Sequence, residues 1–172
     1  ILEKNLPSLK RKFEKKFIKI ENLTLGSEEK HAFLKQIDES SSSTLNEINI
    51  RSQYFKKKQS LVYNKKKELF FNEIEIKVTT LKDYIKKNDI KIIDFMKIDT
   101  EGYEYEILKG LGDKIDIVQL IMFEHHYHDM LKKEYTFSDI HRLLFRNNFI
   151  QIFKAKMPFR KTFEYIYINK KK

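Results

Sequence analysis

The 172-residue chain contains no cysteine and no tryptophan, and only two prolines and four glycines. Without cysteine there are no disulfides, thiolate metal sites or cysteine nucleophiles. So few prolines and glycines exclude collagen-like and Pro/Gly-rich low-complexity chains. No apolar run approaches the roughly 18 residues of a membrane-spanning helix, and no stretch has the make-up of a signal peptide, so a soluble, cytoplasmic protein is the expectation. Arginine is also scarce. Arg11, Arg51, Arg142, Arg146 and Arg160 are the whole set, and lysine supplies the rest of the 35 basic residues. Direct base readout favours the planar guanidinium fork, whereas lysine gives unspecific phosphate attraction. The net charge of +10 is therefore read as the product of a nucleotide-composition bias that also enriches Ile and Asn, and no specific nucleic-acid partner is expected.

What the chain does have is apolar and aromatic material, 41% and 13% of its residues, enough for a folded core. Its length suits one domain of about 100–200 residues. Leu2, Leu6, Leu9 and Phe13 have helical spacing over residues 1–16, interrupted by Pro7. Strands are expected at 17–25 and 31–37, a polar loop at 38–46, and short extended segments at 59–63 and 69–78. Thr79 or Thr80 with Asp83 marks a helix start. A strand over 92–99 and a helix over 103–109 follow, with Gly110 at the favoured position past the helix end. The almost wholly apolar run 115–124 suits a strand buried on both faces. A helix over 136–146 and a hairpin of 149–154 with 163–169 complete the pattern. Strands alternating with helices predict an α/β fold with a mostly parallel sheet and an antiparallel end.

Two clusters carry chemistry. Lys97-Ile98-Asp99-Thr100-Glu101-Gly102-Tyr103-Glu104 puts Asp99 at a strand's carboxyl end and Glu101 and Glu104 at the next helix start, where open α/β sheets bind ligands. Glu124-His125-His126-Tyr127-His128 closes the next long strand. Neighbouring strands would bring Asp99 and Glu124 into one crevice, with a histidine as general base. Residues alternate in direction along a strand, so only alternate members of the second cluster can converge, and no metal site is assigned. Gly110-Leu111-Gly112 follows a helix and lacks the strand-to-helix setting of a dinucleotide loop.

In order, Val78-Thr79-Thr80-Leu81-Lys82-Asp83-Tyr84-Ile85, then Phe95-Met96-Lys97-Ile98-Asp99-Thr100-Glu101-Gly102-Tyr103-Glu104, then Ile107-Leu108-Lys109-Gly110, resembles the FkbM family of S-adenosylmethionine-dependent methyltransferases. Leu23-Thr24-Leu25-Gly26-Ser27 resembles an earlier strand end of that family. The resemblance implies a class I, Rossmann-like methyltransferase sheet in the spatial order 3-2-1-4-5-7-6 and methyl transfer to a hydroxyl oxygen of a sugar or other small metabolite. It implies catalytic roles among Asp99, Glu101, Glu124, His125 and His126, and cofactor contacts from Thr24, Leu25, Asp99 and Gly102. It also implies a departure. The family's glycine-rich loop after the first strand has no counterpart, and Ile1 aligns within the helix after the second strand. A partial domain is therefore expected over 1–172, with residues 1–77 loosely anchored, a core over 78–169 and a basic tail at 170–172. Such a chain is expected to bind S-adenosylmethionine weakly and to be inactive, with the strand over 92–99 left as an edge. The alternative from another class is a non-catalytic module whose lysines at 56–58, 65–67 and 170–172 hold RNA or an anionic glycan. Tyr54-Phe55 and Phe70-Phe71 would be its aromatic platforms.

Overall fold

The computed structural model describes residues 19–37, 43–62 and 71–171. The expected helix over 1–16, the first residues of the strand over 17–25 and Phe70 lie outside them. The chain runs β1 (Thr24–Gly26), β2 (Lys30–Ile37), β3 (Glu47–Ile48), α1 (Gln53–Val62), β4 (Phe71–Thr80), α2 (Leu81–Lys87), β5 (Ile93–Ile98) and α3 (Glu104–Lys109). A 3-10 turn (Gly112–Ile117) leads into β6 (Val118–His126), followed by β7 (Leu131–Lys132), α4 (Phe137–Arg146), β8 (Phe149–Lys156) and β9 (Thr162–Asn169).

The α/β expectation holds, but the strands are not mostly parallel. The strands divide into three sheets, ordered β1-β4-β2, β3-β7 and β5-β6-β9-β8. Among the described residues, only β1–β4 and β5–β6 pair in parallel. The other pairs are antiparallel. The cause is local: β4 takes β1 on one edge and the whole of β2 on the other, which leaves it no edge for β5. In the four-stranded sheet β5, β6 and β8 share one direction and β9 runs against them, with the closing hairpin formed as expected. β5 is an edge of that sheet, and Phe95 on it is 53% exposed.

A second correction concerns residues 59–63. Through Val62 they belong to α1 and are not extended. Ser52 Oγ accepts from the Phe55 N–H at 2.9 Å, capping the helix. Phe55 then packs against Met130 and Leu131 in a small satellite core. The other starts agree with the sequence. Thr80 caps α2 by accepting from the Asp83 N–H at 3.1 Å, and Thr136 with Asp139 forms a capping box on α4. Gly110 has ordinary right-handed φ of −65°, so it is not a left-handed terminator. It is glycine because a Cβ there would overlap the Gly26 carbonyl oxygen. The expected strand over 115–124 starts later, at Val118, after the 3-10 turn.

The main core gathers Ile85, Ile98, Leu108, Leu111, Ile121, Phe123, Ile140, Leu144, Phe149, Tyr165 and Tyr167 beneath α2, α3 and α4. It occupies one face of the four-stranded sheet. The strand registers define the other face row by row. Phe95, Leu120, Ile168 and Ile150 lie side by side, then Lys97, Met122, Ile166 and Phe153. The next row continues past the end of β5 and holds Glu124 and Glu164, and the last pairs His126 with Thr162. Apolar rows thus give way to acidic and polar ones toward the carboxyl ends of β5 and β6.

Candidate functional site

The polar end of this face brings together four of the expected residues. Asp99 follows the last residue of β5, and Ile98 lies beside Phe123, so Asp99 and Glu124 are neighbours on adjacent strand ends. Lys97, two residues back and on the same side as Asp99, donates to Asp99 Oδ2 at 3.2 Å. That bond holds the lysine's pKa up. Glu124 is half-buried, and burial first, then the negative charge of Asp99, pushes its pKa above the usual carboxylate value. A carboxylate raised in this way is a better proton acceptor near neutral pH. Glu101 sits in a left-handed turn, with φ of 47°, and its Oε2 comes within 3.4 Å of His126 Nε2. His126 is 5% exposed, and burial lowers its pKa to about 4, so it is a neutral imidazole at physiological pH. Its Nδ1 and the hydroxyl of the opposing Thr162 are buried without a hydrogen-bond partner among the described residues.

His125 points the other way. Its Nδ1 meets Glu104 Oε1 at 2.8 Å on the core side, both residues being almost fully buried. Tyr127, Tyr135 and Phe137 surround its ring. The alternation along β6 therefore divides the two histidines, with His126 on the side of Asp99 and Glu124 and His125 in the packing that ties α3 to β6. Gly102 adopts φ of 90°, and a side chain on it would strike Leu131 and Asn46. Thr24 and Leu25 are not brought to this strand end. They lie on β1, beside Val78 and Thr79 of a different sheet. Thr24 borders a separate cleft of about 720 Å³ with Glu29, Ile76, Thr79, Asp83 and Tyr84.

Sequence reasoning did not single out Lys97 or Glu164. Lys97 was findable, because positions two apart on a strand share a face. Glu164 lies opposite Glu124 only through the β6–β9 register, which no local pattern reveals. Among the described residues no group of three or more His, Cys, Asp or Glu is placed to hold a metal ion, and no helix is long and apolar enough to cross a membrane. Of the aromatic residues of the binding-module alternative, Phe55 is buried and Tyr54 stacks on His128 at 4.1 Å.

Three comparisons with known proteins bear on this geometry. A family model described as the methyltransferase FkbM domain matches residues 2–150. Neither a curated protein nor a solved structure gives a significant match.

Proposed function

The chain belongs to the FkbM methyltransferase family, and from that premise we propose that the Asp99–Glu124 crevice is the acceptor side of an S-adenosylmethionine-dependent transfer to a hydroxyl oxygen of a sugar or other small metabolite. The observation that carries the reading is the pairing of Asp99 with Glu124 at adjacent strand ends, Glu124 being the carboxylate held above its ordinary pKa. The order β5-β6-β9-β8, with β9 alone reversed, supports it. That order is consistent with the 4-5-7-6 portion of the class I order, with β5 and β6 standing for strands four and five.

The residues present fit one half of the cofactor's needs. Asp99, Glu101 and Glu124 provide negative charge where a sulfonium would lie. No glycine, however, offers an open cradle. Gly26 is closed by Val78 and Tyr103, Gly102 by Leu131 and Asn46, Gly110 by the Gly26 carbonyl, and Gly112 by Lys82. Thr24 and Leu25, two of the expected cofactor contacts, stand in another sheet. The cofactor supplies the methyl group, and the protein's role is to align a hydroxyl and remove its proton. Lys97 and Asp99 anchor the acceptor's polar groups, and Glu124 takes the hydroxyl proton.

The test uses millimolar labelled S-adenosylmethionine with a panel of sugars and small alcohols, the product being read by NMR. Any product is expected to be an O-methyl ether, formed about 100-fold or more slowly by Glu124→Gln. Methylation at nitrogen or carbon, or undiminished transfer by the variant, overturns the reading. Calorimetry is expected to show cofactor affinity weaker than micromolar for this polypeptide, and micromolar binding contradicts the missing cradle.

A further inference from the structure

We propose that Thr44 and Asn46 are positioning residues for this crevice, holding the left-handed Glu101–Gly102 turn so that the Glu101 carboxylate reaches His126; the assignment rests on the reading above that the row is the reacting centre.

The turn has consecutive positive φ angles, 47° at Glu101 and 90° at Gly102. Glycine adopts this conformation freely, but glutamate does not. Such a backbone persists where its surroundings over-determine it. Here both carbonyls of the turn are held by side chains from far along the chain. Thr44 Oγ1 donates to the Glu101 carbonyl at 3.0 Å. Asn46 Nδ2 donates to the Gly102 carbonyl at 2.6 Å, and the Tyr135 hydroxyl donates to the same oxygen at 2.7 Å.

The clamp is itself braced. Thr44 exchanges backbone hydrogen bonds with Lys35 of β2 at 3.0 and 3.2 Å, and its hydroxyl also accepts from the Asn46 N–H at 3.1 Å. Asn46 leads straight into β3, which pairs with β7. The geometry of the turn is therefore set by β2, β3 and β7 as much as by β5, from which the turn emerges. The cradle has no room for a Gly102 side chain, since Leu131 and Asn46 close it. With the carbonyls fixed, Glu101 is aimed at His126 Nε2. The other groups facing or charging that imidazole are Lys133, whose ammonium donates to the His126 carbonyl, His128, whose ring centroid lies 5.1 Å away, and Glu104, His125 and Asp99.

The test is an NMR titration of the histidines in the full 172-residue chain. Asn46→Asp keeps the side-chain shape but turns an acceptor toward the Gly102 carbonyl, and Thr44→Val keeps shape without the hydroxyl. In both, the turn relaxes and the Glu101 carboxylate leaves His126 Nε2, so the His126 midpoint is expected to move from about 4 by at least about one pH unit. Thr44→Ser, which keeps the donor, is expected to retain the wild-type midpoint. Folded variants with an unmoved His126 overturn the proposal. Should the variants not fold, the wild-type chain decides. An Overhauser contact between the Asn46 side-chain amide and the Gly102 α-protons is expected, and its absence overturns the proposal. None of these readouts needs methyl transfer, so the clamp is decided separately from the functional reading, which stands or falls on the methylated product and on Glu124→Gln.

Discussion

The buried Glu104–His125 pair ties the start of α3 to the end of β6, and separating the two residues is expected to loosen both elements that carry the crevice. Glu104 is 1% and His125 3% exposed, and their polar atoms lie 2.8 Å apart. Removing one partner from such a buried pair costs about 3–5 kcal/mol, because the other is left without compensation in a medium of low polarity. Glu104→Ala and His125→Phe should each approach that loss, a large share of the roughly 5–15 kcal/mol that holds a domain together. In a chain of this size that is a fall in Tm of about 6–20 °C. Replacing both at once, Glu104→Leu with His125→Phe, removes the polar pair as a unit. Tyr135, Phe137 and Tyr127 already line the space around the His125 ring, so the double variant is expected to recover at least half of the loss. Urea unfolding of the four proteins, followed by circular dichroism, gives the coupling directly. Single losses below about 1 kcal/mol, or losses that simply add in the double variant, refute the claim that this pair is a structural tie.

Gly110→Ala forces a methyl group onto the Gly26 carbonyl. Neither backbone can yield without disturbing α3 or β1, so a loss of about 3 kcal/mol is expected by chemical denaturation, and a loss under about 1 kcal/mol excludes the clash. Phe95→Lys places a charge on the exposed edge of the four-stranded sheet. Light scattering is expected to show less self-association at an almost unchanged Tm. Because the folded pKa of Glu124 is raised by burial and by Asp99, the folded state holds that proton more tightly than the unfolded one. Stability present below the ordinary carboxylate value is lost as pH rises through the folded value. Glu124→Gln should therefore be the more stable protein at pH 7, with the advantage disappearing on acidification. His126 acts in the opposite direction. Its fall from 6.5 to about 4 makes stability decline as pH drops through that interval, by about 3 kcal/mol in all, and His126→Gln should flatten that limb of the pH–stability curve.

How much of this was legible along the chain depends on how far each determinant lies from the residue it governs. Thr136 and Asp139 announce α4 within one turn, and the apolar run through Phe123 announces β6. The placement of Asp99 and Glu124 at adjacent strand ends was readable from two neighbouring segments. Residues 59–63 misled because Leu61-Val62-Tyr63 has β-type composition. The signals for α1 are the Ser52 cap several residues upstream and the contact of Phe55 with the distant Met130 and Leu131. Alternation already separated His125 from His126. Which of them enters the core is decided by β9, where Phe163 stands opposite His125 and Thr162 opposite His126. The clamp lay furthest out of reach, since Thr44 and Asn46 act 57 and 56 residues from their partners. One strand end thus yields two histidines of opposite use, a tie to Glu104 on the packed side and a neutral imidazole on the crevice side. The exchange of roles that a one-residue slip of β6 against β9 would cause is prevented by the burial of Tyr165 and Tyr167 against Phe123, so the register that builds the core also assigns the chemistry.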